Sequence, residues 1–566
     1  MKKTLADFQP LKPAEQELLE YCQNGKKAIV RKERPTKKIK DNEIRAEFLH
    51  FLVLKKDDLI ETNTIYCEGA WICGTFNLVS SVAELGVCCV NSVFEEDILL
   101  INATIPVLVL QGSLFQKKLL GDGLRCLGKL SLNGSSSNDI VSLIGAEIRD
   151  DFECAGSVFN HTSDENAALC CDSIKIGKSV WLSNNFTAYG KVSFTNAKIE
   201  GDLICTNGKF YSNNTESNIA LCCDNLKIQN KVFLNDGFYA KGEVRFLSAE
   251  INGNLYLMEG YFENKTKIAL NCEFMFVKKE LFLIDSFGKK AIIHGQLNFL
   301  HANVNRFTYS NEFWRQKTLK KVILDGFTYI HISLMIDKQF SSDIFFSKAL
   351  NFKSQPYKQL AKVLRDMGHD RDADEVMIAL HDKKLETSKE SWSYKVSQKL
   401  YRWISRYGYR PIRALKIILV SVWFIFGCVY WYGANVGVFA PSNPLVFQNK
   451  DYNCTINSNG TPWGASPKDY NVSNNWYKAT PPEYTTFQPF LYSLDIILPV
   501  VDLKLEKDWG VVVSAPDDSL TDIIPFCFTT TNHFIRFLTW FESLTGWGLS
   551  LMLVAILSGL AKNEKE

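Results

Sequence analysis

The first half of the chain contains a repeat that decides its fold. Residues 168–205 read ALCCDSIKIGKSVWLSNNFTAYGKVSFTNAKIEGDLIC. The tetrapeptide ALCC at 168–171 recurs at 220–223 and, as ALNC, at 269–272, with spacings of 52 and 49 residues. A repeat of this length indicates a solenoid or a propeller, because one unit alone cannot bury its apolar face.

Each period contains two related half-units. Residues 169–186 read LCCDSIKIGKSVWLSNNF, and residues 192–210 read VSFTNAKIEGDLICTNGKF. Apolar triplets such as 180–182 alternate with glycine and asparagine turns, and runs this short are typical of strands. A β-propeller has blades of a similar period. The similarity of the half-units favours a parallel β-helix, so we predict a mainly β solenoid over residues 59–350.

Two apolar segments near the C-terminus predict a membrane module. The first, 414–434, begins ALKIILVSVWFIFGCVYWYG. At about 1.5 Å per residue it matches the hydrocarbon core of a bilayer. The second, 544–561, reads LTGWGLSLMLVAILSGLA and is followed by a lysine-bearing tail at 562–566. Residues 435–543 between them are predicted to form an external loop.

A basic cluster precedes the first apolar segment. It consists of Arg402, Arg406, Arg410 and Arg413. The positive-inside rule places such a cluster in the cytosol, where its side chains would meet the anionic headgroups of the bilayer. We therefore predict a multi-pass protein of the cell inner membrane with both termini cytoplasmic.

The flanks of the repeat domain predict helices. Residues 1–58 are interpreted as an N-terminal helical cap. Residues 351–413 are interpreted as a helical hairpin, broken at Gly368, and a basic juxtamembrane helix. The hairpin resembles half a tetratricopeptide repeat, but a cap is favoured because a solenoid needs its open end covered.

The predicted external loop contains one apolar stretch. Residues 481–503 read PPEYTTFQPFLYSLDIILPVVDL, which is too short and too rich in proline to span a bilayer. As a candidate re-entrant segment, it would offer oxygens of Ser493, Asp495 and Asp502 to a cation in an oligomeric pore. A segment lying on the membrane surface is the favoured alternative.

The residues give little support to an enzyme. The sixteen cysteines include no CxxC pair. Neighbouring cysteines in a strand point to opposite faces, so we predict that they pack as small apolar side chains. Cys454 and Cys527 in the predicted external loop form a candidate disulfide. No cofactor, metal or catalytic motif is found, and the net charge of +2 argues against a nucleic-acid partner.

Several stretches carry a family resemblance. They include LKPAEQELLEYCQNGKK at 11–27, NEIRAEFLHFLVL at 42–54, RYGYRPIRALK at 406–416 and FLYSLDIILPVVDL at 490–503. Together with the repeats, this pattern resembles a bacterial family of membrane-anchored, pentapeptide-repeat-like β-helix proteins. Some members of that family are labelled membrane-associated oxidoreductases, which implies a redox activity for which this sequence offers no motif.

The sequence therefore predicts a cytosolic β-helix attached to a two-span membrane module. The β-helix would act as an interaction or sensing domain, with a protein partner on its surface and the lipid bilayer as the second partner. The module would form an ion-channel-like pore as a homo-oligomer. The alternatives are a non-conducting, membrane-tethered scaffold and, third, an oxidoreductase.

Overall fold

The computed structural model divides the chain into two compact units, Met1–Thr387 and Ser388–Glu566. It describes residues 4–24, 27–54, 62–161, 167–212, 218–284, 287–334, 342–443, 484–511 and 531–558. Unit 1 contains a 3₁₀ turn at Leu5–Phe8 and helices α1 (Pro13–Asn24), α2 (Ala46–Val53), α3 (Asn311–Trp314), α4 (Ser342–Phe345), α5 (Ser354–Asp366) and α6 (Asp370–Thr387). Unit 2 contains helices α7 (Trp392–Ser405), α8 (Pro411–Val436), α9 (Pro489–Ile497), α10 (Leu505–Asp508) and α11 (Thr531–Leu557).

Unit 1 is a parallel β-solenoid of about eleven coils, as predicted. Neighbouring coils pair in register, with steps of 22 residues from Leu108 to Leu130 and from Leu130 to Phe152. The two coils from Phe152 to Leu203 together span 51 residues, which is more than two steps of 22. The difference arises mainly because the coil between Phe152 and Val180 carries an insertion. One half-unit of the sequence repeat is therefore one coil of the solenoid.

Each coil contributes up to four short strands, which stack into four ladders numbered in chain order. Ladder I holds Thr104–Ile105, Arg125–Cys126, Glu147–Ile148, Lys175–Ile176, Lys198–Ile199, Lys227–Ile228 and Glu250–Ile251. Ladder II holds Ala28–Ile29, Thr64–Glu68, Gly86–Val90, Leu108–Val109, Leu130–Ser131, Phe152–Glu153, Val180–Trp181, Leu203–Ile204, Val232–Phe233 and Leu255–Tyr256. Longer strands then join ladders I and II, namely Phe276–Phe282, Asn303–Tyr309 and Thr328–Leu334.

The other two ladders form the second sheet. Ladder III holds Glu43–Arg45, Trp71–Cys73, Val93–Phe94, Leu114–Phe115, Ser136–Ser137, Val158–Asn160, Thr187–Tyr189, Lys209–Tyr211 and Tyr239–Lys241. Ladder IV holds Phe76–Asn77, Ile98–Leu99, Leu119–Leu120, Val141–Ser142, Leu169–Cys170, Val192–Ser193, Ile219–Cys222 and Glu243–Arg245. Tyr261–Asn271 spans ladders III and IV, and Ile292–Asn298 and Leu319–Ile323 continue the sheet.

An alternation of small and large side chains inside the solenoid explains the two-coil period. Successive coils place a buried thiol and then a buried ring just after the strand of ladder IV, in the order Cys171, Phe194, Cys223, Phe246, Cys272 and Phe299. Interiors are close-packed, so a small side chain on one coil leaves room for a large one on the next. The sequence therefore repeats every second coil, although the backbone repeats every coil.

Most of the cysteines that the structure describes are buried, as predicted, while Cys73, Cys88, Cys170 and Cys428 are half-buried. Burial raises the pKa of Cys171 and of Cys223 well above the usual value for a thiol. Cys170 and Cys222 lie in one ladder but are separated by Ser193 on the intervening coil. In the part of the chain that the structure describes, no three metal-ligating side chains form a group.

The C-terminal end of the solenoid is covered by the predicted cap. Gly368, with a φ of 81°, separates α5 from α6. The Gln355 amide accepts from the backbone N–H of Gly326 at 3.0 Å and donates to the carbonyl of Phe327 at 3.3 Å. The helix thus satisfies backbone groups that a further coil would otherwise have paired.

The N-terminal end corrects one predicted boundary. Ala28–Ile29 and Glu43–Arg45, which were predicted to lie in a helical cap, pair in parallel with strands of the first full coil. The solenoid therefore begins within residues 1–58. Helices α1 and α2 pack beside these strands, and the fully buried Glu15 of α1 is bound by Arg45.

Unit 2 contains two helices long and apolar enough to span a bilayer. They comprise Pro411–Val436 and Asn532–Ile556, with mean hydropathies of 2.1 and 1.2. The first agrees with the predicted span to within three residues at each end. The second helix begins at Thr531, thirteen residues before the predicted span, which started only after the charged residue Glu542. A short antiparallel pair, Phe439–Pro441 with Trp509–Val511, completes the described part of this unit.

Candidate functional site

The outer face of ladder II carries a row of large apolar side chains. We call this row the aromatic stripe, and it comprises Trp181, Ile204, Phe233, Tyr256 and Phe282. Side chains alternate along a strand. The residue just before each member of the stripe therefore points into the core, while the stripe residue itself points outward. The rings of Phe233 and Tyr256, and those of Tyr256 and Phe282, stack with centroids 4.9 Å apart. Trp181 at the end of the stripe is 40% exposed.

A second aromatic row lies on ladder III, and two of its tyrosine hydroxyls are hydrogen-bonded within the protein. The Tyr239 hydroxyl donates to the Glu263 carboxylate at 2.8 Å, and the Tyr261 hydroxyl lies 3.0 Å from Nδ1 of His294. Burial and the hydrogen bond to Glu263 raise the pKa of Tyr239. The rings of this row stack on one another across coils, as those of the aromatic stripe do.

Ladder I, on the adjoining face, presents three lysines in register. Lys175 pairs with Glu147 at 2.7 Å, and Lys227 pairs with Glu250 at 3.0 Å. Lys198 lies between the two lysines and forms no ion pair with any residue that the structure describes. Like charges directly opposite one another on paired strands are unfavourable. The centre of this row is therefore a positive site beside the aromatic stripe.

In unit 2, the short helix α9 packs against the middle of both long helices. The Trp423 indole of α8 donates to the carbonyl of Phe490 at 2.8 Å. A Cβ on Gly427 of α8 would lie 2.3 Å from the Phe490 ring, and a Cβ on Gly546 of α11 would lie 2.4 Å from the carbonyl oxygen of Ile497. Glycines let helix backbones approach closely. Gly546 of α11 is therefore in close contact with the backbone of α9.

We expect Gly546→Ala to destabilise the packing of α9 by about 1–3 kcal/mol, the usual cost of forcing backbone apart to admit an added methyl group. Thermal unfolding of the full chain in detergent, followed by tryptophan fluorescence, measures the loss. Gly548→Ala is the matched control, because a Cβ at Gly548 meets nothing within 4 Å. Equal unfolding temperatures for the two variants would contradict the contact.

The three candidate pore residues have separate environments in the described chain. Ser493 is fully buried between α8 and α11. The carboxylate of Asp495 accepts from the backbone N–H groups of Leu503 at 2.7 Å and Glu506 at 2.8 Å. Asp502 is exposed and pairs with Lys507, whose hydrogen bond holds the pKa of Asp502 below its usual value. The structure does not bring the three side chains together in one chain.

Glu542 is the residue of this module that the sequence-based prediction missed. Its side chain is completely buried in α11, and its carboxyl group is hydrogen-bonded to Tyr430 at 2.6 Å and to Ser493 at 2.5 Å. An ionisable residue inside an apolar helix is a functional-site candidate by default. The sequence feature that could have identified Glu542 is that it is the single acidic residue in the hydrophobic stretch Asn532–Ile556.

The predicted basic cluster is divided between two helices and their connection. Arg402 lies in α7, Arg413 lies in α8, and a turn that starts with left-handed backbone at Arg406 joins the helices. Arg406, Arg410 and Arg413 line one open concavity of about 360 Å³. Three guanidinium groups around a concavity are suited to phosphate groups.

The candidate disulfide, Cys454 with Cys527, lies outside the described residues. The described geometry offers two features with functional potential: the aromatic stripe of unit 1 and the buried carboxyl of unit 2. Comparisons of the chain with protein-family models, with curated proteins and with solved structures find no match.

Proposed function

We propose that this protein is a membrane-anchored docking protein, in which the solenoid binds a partner protein and unit 2 holds it at the bilayer. The aromatic stripe carries the proposal. A row of large apolar side chains that is partly open to solvent, three of them stacked rings, is suited to contact with another protein, and aromatic residues are enriched at such surfaces. Solenoids commonly use extended faces of this kind for binding.

The neighbouring charges indicate the chemistry of the partner. Lys198 has no acidic partner in the described chain and lies on the same coil as Ile204 of the stripe. An acidic segment with aromatic or proline side chains would stack on the rings and supply the missing negative charge. We propose an extended, acidic protein segment that runs along the solenoid axis.

The contacts in unit 2 favour an anchor over a pore. Ser493 and Asp495 are hydrogen-bonded to groups inside the protein. Neither side chain would therefore face a passing cation without a rearrangement of α9. The arginines around the α7–α8 turn support an orientation with the solenoid in the cytosol and the guanidinium groups at the headgroups. The resemblance to membrane-anchored, pentapeptide-repeat-like β-helix proteins is in keeping with this proposal.

Site-specific photo-crosslinking in the native membrane tests the docking function. A photoreactive amino acid at Ile204 should yield one heavier adduct containing an acid-rich protein. The same amino acid at Tyr189, which is on the other aromatic row, is the control and should yield none. We expect Phe233→Asp or Lys198→Glu to lower the adduct yield at least about tenfold, which corresponds to 1.4 kcal/mol.

Retention of the β-sheet circular dichroism by both variants would show that they are folded. Adducts of equal yield from Ile204 and Tyr189, adducts with lipid alone, or an adduct insensitive to both variants would overturn the docking function.

A further inference from the structure

A chain of hydrogen bonds crosses unit 2 near the middle of its long helices. The Tyr430 hydroxyl of α8 donates to Oε2 of Glu542 at 2.6 Å. The Oγ atom of Ser493 in α9 lies 2.5 Å from Oε1 of Glu542 and 3.1 Å from the carbonyl oxygen of Trp423 in α8. Ser493 and Glu542 are both 0% exposed, so water does not supply further partners.

The hydrogen-bonded groups need one more hydrogen than an ionised Glu542 would leave them. A serine hydroxyl carries one hydrogen, while a carbonyl or a carboxylate only accepts. Ser493 therefore cannot donate fully to both Trp423 and Glu542. Both contacts are hydrogen bonds when Oε1 of Glu542 carries a proton and donates it to Ser493, which donates its own hydrogen to Trp423. With an ionised Glu542, one of the two contacts lacks a hydrogen.

The surrounding charges also disfavour an ionised carboxyl. Glu542 forms no ion pair with any basic side chain in the ranges that the structure describes. Arg536 of the same helix lies over the ring of Trp540 instead, at 5.5 Å. The cations of the packed elements are engaged or placed elsewhere, because Arg413 and Lys416 are in the first two turns of α8 and Lys507 of α10 pairs with Asp502. The titratable groups close to the Tyr430–Glu542 pair are Tyr492 and Asp495 of α9 and Glu506 of α10. None of these is a cation, and a buried carboxylate without a counter-charge is strongly unfavourable.

We propose that Glu542 is a proton-binding site whose bound proton links α9 to both long helices. In the protonated state, the order of donation runs from Tyr430 to Glu542, from Glu542 to Ser493, and from Ser493 to the Trp423 carbonyl. Loss of the proton to solvent leaves a carboxylate. Ser493 then turns its hydrogen to that carboxylate, and the Trp423 carbonyl loses the hydrogen bond from Ser493. The proposal is independent of what the solenoid binds.

Infrared spectroscopy of the full chain in lipid nanodiscs tests the site directly. At neutral pH we expect a C=O stretching band of a protonated carboxyl group that is absent in Glu542→Gln. This variant keeps the fold, because its amide donates to Ser493 and accepts from Tyr430 as the neutral acid does. Raising the pH should remove the same band from the wild-type protein.

Two further variants identify the source of the band. Tyr430→Phe removes the donor to the C=O group, so the band should persist and shift to higher frequency. Asp495→Asn is the matched control and should leave the band unchanged, because the Asp495 carboxylate is held by backbone N–H groups. The proposal is overturned if wild-type protein at neutral pH lacks a band that Glu542→Gln removes, or if Tyr430→Phe leaves its frequency unchanged.

Discussion

Phe210→Ala is expected to lower the free energy of unfolding of the solenoid by about 3–5 kcal/mol, the usual cost of truncating a buried phenylalanine. Phe210 is 0% exposed, and its ring lies between those of Phe186 at 5.4 Å and Phe238 at 5.2 Å between centroids. Each coil of a solenoid is stabilised mainly by its two neighbours. Removal of this ring therefore weakens two coil-to-coil contacts and leaves a cavity between them.

Denaturant unfolding of the full chain in detergent, followed by the circular dichroism of the β-sheet, measures the effect. Phe233→Ala is the matched control, because that ring lies on the outer face and is partly exposed. We expect the control to lose less than about 1.5 kcal/mol, since its removal opens no cavity. Similar losses for the two variants would show that the rings inside the solenoid do not hold the coils together.

The β-helix could be predicted because its signal is repeated many times along the chain. Alternating apolar positions and turn residues recur in every half-unit, so an error in one coil does not change the conclusion. The turns show the expected chemistry: Asn196 and Asn207 adopt left-handed backbone with φ of 57° and 56°. The alternation of Cys171 with Phe194 was not predicted, because it depends on which positions stack across coils.

The two long apolar helices of unit 2 could be predicted in outline, but the polar contacts between them could not. Ser493 was predicted from its position in an apolar segment, yet its partner Glu542 lies 49 residues further along the chain. No local pattern connects two such residues. The predicted start of the second span, residue 544, also lay too far along the chain. Glu542 was left out of it, because a charged residue in an apolar helix is costly unless the fold supplies partners. Here the partners are Tyr430 and Ser493.

Glu15→Gln is expected to destabilise the N-terminal end of the solenoid by about 1.5–3 kcal/mol, the usual cost of losing hydrogen bonds to a charged group, because the remaining Arg45 side chain is 34% exposed. Arg45 donates to Oε1 of Glu15 from Nε at 2.8 Å and to Oε2 from Nη2 at 2.6 Å. The Glu15 side chain is 0% exposed, and the backbone N–H of Lys12 also donates to it at 3.0 Å. The amide of glutamine would remove the charge that Glu15 places against the guanidinium and one of its two accepting oxygens.

The pH dependence of this effect has a definite sign. Burial acts to raise the pKa of Glu15, but the hydrogen bonds and the charge of Arg45 outweigh it and leave the pKa below its usual value. A carboxyl whose pKa is lowered by folding contributes stability above its unfolded pKa of about 4.3, and loses it as the pH falls through the folded value. The difference in the free energy of unfolding between wild type and Glu15→Gln should therefore be full at pH 7 and shrink below about pH 4.

Glu147→Gln is the matched control. It breaks an exposed ion pair with Lys175 and should cost at most about 1 kcal/mol at any pH. If Glu15→Gln costs no more than Glu147→Gln at pH 7, the buried pair does not stabilise this end of the solenoid.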